Sequence, residues 1–139
     1  MKTKEILGLD IGSKRTGMAR ASSIAKLSEP LMSVPADKTT QIMRDYIKEH
    51  DVEAVAVGLP RNLNGEDTKQ TETVRAWVKD AQERINTPFY WQDEALTSLA
   101  AQAKSSELRA KSSVDEHALA AAIILQDFLD TAETDRVPA

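Results

Sequence analysis

Cysteine is absent from the 139-residue chain, which excludes disulfides, thiolate metal sites and thiol nucleophiles. Aromatic side chains are scarce at 4%. Trp77 falls on an apolar helical stripe and Trp91 in a strand pattern, so neither is read as a platform for base stacking. Long apolar runs are missing too: the longest, Ala118 to Leu125, is far too short to span a bilayer. The N-terminal stretch MKTKEILGLDIG is interrupted by Glu5 and Asp10 and lacks a signal-peptide core. A cytoplasmic protein without membrane partners is expected. Basic charge is not in excess either, since the net charge is −4.

Hydrophobic residues make up 41% and charged residues 29%, which suits a folded domain with a sizeable core. The whole of 1–139 reads as a single domain, with an acidic, flexible tail expected from about residue 132. Charge is unevenly spread along it. Residues 1–26 carry Lys2, Lys4, Lys14, Arg15, Arg20 and Lys26 against two acids, whereas residues 115–135 carry six acids and no Lys or Arg. That asymmetry permits a polyanion partner without demanding one.

Apolar patterning predicts a buried strand over 4–11, a glycine turn, and a second strand over 16–21 close enough to form a hairpin. A short third strand, 31–34, lies between Pro30 and Pro35. Helical spacing over 39–50 precedes the continuous apolar run EAVAVGLP, as for a strand covered on both faces. The loop RNLNGED contains an Asn64-Gly65 turn signal. Val74, Trp77, Val78, Ala81 and Ile85 trace one face of a helix, and Phe89 to Gln92 forms a further strand ending at Asp93-Glu94. A helix from about 96 to 109 and a last helix from Val114 to about Thr131 complete the chain, with Ser113 and Glu116 at capping-box spacing. The order of elements predicts an α/β domain with a mixed sheet.

Asp10 is the anomaly. An ionised group between Leu9 and Ile11 is costly unless something compensates it. Alternation sets it on the face of Ile6 and Gly8, and Gly8 and Gly12 leave room beside it for a ligand. Ligands of α/β sheets collect at the carboxyl ends of parallel strands. Asp10 and one of Asp93 or Glu94 occupy such ends, and Asp115 is expected at the second residue of the last helix. Three carboxylates on one edge repel unless cations lie between them, and magnesium suits such a set. Two such ions can hold both the attacking and the leaving oxygen of a phosphodiester. Each residue also has a plainer reading: Lys14 or Arg15 as a counter-ion for Asp10, strand-end solvation for Asp93 and Glu94, and the helix dipole for Asp115. After Gly12-Ser13, Lys14 and Arg15 are placed to hold a phosphate, and Arg61, Asn62 and Asn64 border the same edge. His50 is expected to cap a helix and His117 to be structural.

LGLDIGSKRTGMA, VGLPRNLNGE, DEALTS and VDEHALAAAIILQDFL together resemble the YqgF (RuvX) family of Holliday junction resolvases and pre-16S rRNA nucleases. The resemblance covers nearly the whole chain in the family's order. It implies a ribonuclease H-like fold with a five-stranded mixed sheet flanked by helices. It also implies that Asp10, Glu94 and Asp115 are the catalytic, metal-binding carboxylates of a nuclease using Mg2+ or Mn2+. Lys14, Arg15, Arg61, Asn62 and Asn64 would then contact nucleic acid. Two departures stand out: Ala95 replaces an arginine usual in the family, and the segment between Glu94 and Asp115 is shorter and carries only Lys104, Arg109 and Lys111 as basic residues. The expected substrate is precursor ribosomal RNA rather than branched DNA, with the ribosome or its precursor as a partner, acted on by a monomer or weak homodimer. Rival readings are a junction resolvase, a non-catalytic nucleic-acid- or ribosome-binding protein, and an ATP-handling domain of the actin type, although that type needs two such domains.

Overall fold

In the computed structural model, which describes residues 3–93 and 115–139, six strands form one sheet in the order β3-β2-β1-β4-β5-β6. The strands are β1 (Glu5–Ile11), β2 (Arg15–Ser22), β3 (Glu29–Pro35), β4 (Val52–Leu59), β5 (Phe89–Asp93) and β6 (Val137–Pro138). β1, β4 and β5 run parallel, while β2 and β3 continue from β1 as an antiparallel meander. Parallel neighbours need crossovers, and α1 (Thr39–Glu49) and α2 (Lys69–Arg84) supply cover for the same face. That face buries Leu7, Leu9, Val55 and Val57 of the sheet against Met43 of α1 and Val74, Val78 and Ala81 of α2.

The opposite face belongs to α3 (Glu116–Asp130) and is built from smaller residues. Ala19, Ala21, Ala54 and Ala56 meet Ala121, Ala122, Leu125 and Phe128 there. Gly8 belongs to this contact, because a Cβ on it would lie 2.6 Å from Leu125 Cβ and 3.0 Å from the Ala121 carbonyl. The helix thus lies almost directly on strand backbone. β4 is covered on both sides, as its unbroken apolar run predicts.

Several boundaries differ from the sequence reading. β3 extends through Pro30 and Pro35. It lies at the sheet edge, where a missing N–H costs no ladder bond. Helix α3 starts two residues later than its apolar pattern suggested, at Glu116 rather than Val114. Asp115 is its N-cap rather than a residue inside it, and its side chain accepts bonds from the His117 and Ala118 amides. Ser113, the other half of the expected Ser113–Glu116 capping box, lies outside the described residues. In place of a tail, residues 133–135 form a turn of 3-10 helix and 137–138 pair with β5 as a sixth strand. The Arg136 guanidinium lies over the Phe128 ring, 4.4 Å from its centre, which ties this segment to α3. The helix expected over 96–109, with Ala95 and the segment up to Ser113, lies outside the described residues.

Candidate active site

The carboxyl ends of β1, β4 and β5 share one edge, and Asp10 sits at that edge one residue before β1 ends. The strand alternates as expected: Leu7, Leu9 and Ile11 face α1 and α2, while Ile6 and Gly8 face α3. Asp10 therefore projects on the α3 side and is only partly buried. Across the antiparallel pair its partner is Gly17, whose own partner on β3 is Ser33. The three residues form one row on the α3 face.

Gly17 makes the approach of α3 possible. A Cβ there would lie 1.8 Å from the His117 carbonyl oxygen and 3.1 Å from the Ala118 amide nitrogen. Only a residue without a side chain lets the first turn of α3 rest on the strand. Its N-cap, Asp115, consequently stands over the same row: Asp115 Oδ2 accepts a bond of 2.9 Å from the Ser33 hydroxyl, and Oδ1 takes the His117 amide at 2.8 Å. Asp10 and Asp115, 105 positions apart in sequence, thus flank one glycine. Burial works against the charge of Asp115, but the Ser33 hydroxyl and the Ala118 and His117 amides outweigh it and lower its carboxyl below the ordinary 3.8. Asp115 is thus held ionised at neutral pH.

The end of β5 separates the two acids that sequence alone left as alternatives. Trp91 packs with the α1/α2 side and Tyr90 with the α3 side, so alternation turns Asp93 away from Asp10. Asp93 pairs instead with Arg61 at 3.4 Å. Glu94 lies outside the described residues. Among those residues, no group of three or more His, Asp or Glu is placed to hold a metal ion.

The residues expected at a nucleic-acid surface fall into two groups. Lys14 is exposed in the β1–β2 turn, and Asn64 is exposed at the tip of the β4–α2 loop beside Gly65, whose φ of +75° requires glycine. Arg61 and Asn62 instead hold that loop together. Arg61 reaches Asp67 at 3.3 Å as well as Asp93, and Asn62 Oδ1 accepts from the Asn64 and Glu66 amides. Arg15 turns along the sheet: its Nε donates to Ser33 Oγ at 3.0 Å and its Nη2 to the Ser33 carbonyl at 2.9 Å. Gly17 and Ser33 were not singled out from sequence. A glycine inside a strand pattern does signal close backbone approach, but a serine between Met32 and Val34 carries no signal at all.

A second charged cluster lies at the other end of β1. Glu5 is buried, and its carboxylate accepts from Arg20 Nε at 2.6 Å and Tyr46 Oη at 2.6 Å while facing His50 Nδ1 at 2.8 Å. Arg20 also bonds Glu29. Burial opposes the charge of Glu5, yet bonds from Tyr46 and Arg20 prevail and keep its carboxyl below 4.5. Burial and the bond to Glu5 push the Tyr46 hydroxyl up to about 12. His50 caps α1 as expected, through its amide to the Tyr46 carbonyl, and its ring stacks on Tyr46 at 4.0 Å. A shallow cavity of about 460 Å³ opens there, and of its lining residues Glu5, Arg20 and His50 are bonded to one another. This cluster ties α1 to the sheet and is not a reaction centre.

A chain from Roseiflexus sp. named "Putative pre-16S rRNA nuclease" is 34% identical over 134 residues, covering 91% of this chain and 94% of the relative. One of the same name from Chloroflexus aggregans is 36% identical over 139 residues, covering 94% and 96%. Among solved structures, Thermus thermophilus RuvC in complex with a Holliday junction substrate superposes with a TM-score of 0.67 at 18% identity, covering 97% of this chain and 99% of that one. This likeness establishes the ribonuclease H-like fold. The family model described as RuvX, Holliday junction resolvase, matches residues 4–131, and the chain belongs to that family.

Proposed function

We propose that the chain is a divalent-metal-dependent nuclease that hydrolyses phosphodiester bonds of precursor 16S rRNA at its 5′ end, acting in the cytoplasm. The observation that carries this reading is the convergence of Asp10 and Asp115 on Gly17 at the carboxyl edge of the parallel strands. Glu94 is the third carboxylate of the proposal, since Asp93 is turned away and paired with Arg61. The donor set is all oxygen, hard and anionic, which fits Mg2+ or Mn2+ and not a softer metal. When bound, divalent cations neutralise the carboxylates, activate water and stabilise the charge that develops on the phosphate.

Asp10, Glu94 and Asp115 are the residues that would hold the cations. Helix α3 contributes rigidity: its N-cap bonds hold the Asp115 carboxylate in one orientation. Lys14 and Asn64 are assigned to phosphate contacts that position the strand. The curated names of the relatives favour ribosomal RNA. Holliday junction cleavage is the second reading, favoured by the description of the family model.

Cleavage of pre-rRNA fragments, single-stranded DNA and four-way junctions, each with Mg2+, Mn2+ or EDTA, distinguishes these readings. The expected result is divalent-dependent cutting, fastest on pre-rRNA, that Asp10→Asn abolishes. Equal activity in that variant rejects the site. RNA binding with no metal-dependent cutting, indifferent to Asp10→Asn, would mark a non-catalytic binding protein.

A further inference from the structure

A chain of hydrogen bonds runs from Arg15 through Ser33 to Asp115, across β2, β3 and the start of α3. Its polarity is determined by chemistry. The guanidinium has only donors, so Arg15 Nε–H must donate to Ser33 Oγ. Ser33 then has one proton left to direct, and Asp115 Oδ2 lies 2.9 Å away as an acceptor. The second fork bond, Arg15 Nη2 to the Ser33 carbonyl, fixes the guanidinium against the β3 backbone. Each bond polarises the next in the same sense, from cation through hydroxyl to carboxylate.

The arrangement also divides the Asp115 carboxylate between two duties. Oδ1 is held by the amides of His117 and Ala118, and Oδ2 by Ser33. An ionised carboxylate offers about four lone-pair sites, so Oδ2 retains one for a cation after accepting the Ser33 proton. Rotation of the carboxyl about its Cβ–Cγ bond would break bonds at both oxygens.

We propose that Ser33 is a positioning residue for metal binding: oriented by Arg15, it holds the Asp115 carboxylate in one orientation over the row that contains Asp10. This rests on the reading of Asp10 and Asp115 as metal ligands. It gives Arg15, which the sequence suggested as a phosphate contact, a role in the site through Ser33. Partners of metal-ligating groups of this kind change affinity by about 10- to 100-fold when removed.

The test measures binding of Mn2+ alone to the full chain, by the electron paramagnetic resonance of the free ion, for wild type, Ser33→Ala, Ser33→Thr, Arg15→Lys and Asp10→Asn. Melting temperature is followed alongside. Ser33→Ala is expected to weaken Mn2+ binding about 10-fold with its metal-free melting temperature kept. Ser33→Thr, which retains the hydroxyl, should restore most of it. Arg15→Lys, which cannot make the fork, should lose about 3-fold, and the Ser33→Ala/Arg15→Lys pair should lose no more than Ser33→Ala alone. The Mg2+ concentration for half-maximal cleavage should rise in parallel, with kcat at saturating Mg2+ within about 3-fold of wild type. Wild-type Mn2+ affinity in Ser33→Ala, with binding abolished in Asp10→Asn, overturns the role of Ser33 and leaves the nuclease reading standing. Wild-type affinity in Asp10→Asn overturns both.

Discussion

The two ends of β1 each carry an acid, and they are built to opposite rules. Glu5, at the start, is enclosed by Arg20, Tyr46 and His50, so its charge is answered by side chains of its own chain. Asp10, five residues on, has Gly17 across from it on β2, and a second carboxylate stands over the same row. Matched charge holds a fold together, whereas two acids brought to one glycine-lined strand edge are the proposed ligands of a cation from solution. An acid in an apolar strand is therefore ambiguous until its neighbours are known.

The largest way to break this contrast is Asp10→Asn. Phosphodiester cleavage should fall by about 10³-fold or more, because the proposed cation site would lose a ligand. The metal-free protein should keep its melting temperature, which separates a ligand from a structural acid. A collapse in stability would make Asp10 a structural acid like Glu5. Glu5→Ala should do the reverse. It leaves Arg20 without its buried partner and should cost about 3 kcal/mol in urea unfolding, with Mn2+ affinity unchanged.

Gly17→Ala tests whether helix and strand must touch. The new methyl collides with the His117 carbonyl, so α3 must lift, at about 2 kcal/mol, and Mn2+ binding should weaken as Asp115 moves from Asp10. Acid stability sharpens the contrast further. The carboxyls of Glu5 and Asp115 are both lowered in the folded state, so their contribution is complete above their ordinary values of 4.5 and 3.8. It is lost as pH falls through the lower folded values. Asp127, raised by burial and by Asp130, acts in the opposite sense. Melting temperatures should decline below about pH 4.5, and Glu5→Gln should flatten that decline. The smallest effect is expected from deleting residues 132–139. Loss of the Ala139 amide bond to the Phe89 carbonyl and of the Arg136–Phe128 contact should cost about 1–2 kcal/mol, with cleavage kept.

Much of this was legible in advance. The hairpin, the buried run of β4 and the α2 stripe follow from period-two and helical spacing. The oddity of Asp10 needed only its two neighbours. Asp115 was harder, because a first-turn acid serves the dipole equally well, and its N-cap position depends on where the strand lets the helix begin. Arg61 was expected at a phosphate, and sequence shows its charge without showing that Asp67 and Asp93 fold back onto it. Ser33 could not be found at all: its meaning comes from register with Gly17 two strands from Asp10.

Helix α3 rests on Gly8, Gly17 and a bed of alanines, and that imposes a ratchet on how the chain can vary. Elsewhere in the core a bulkier side chain can be absorbed by a neighbour changing rotamer. At Gly17 there is only the main chain of α3 to yield, so an enlargement there tilts the helix as a lever. The first thing the lever moves is the acid at its tip.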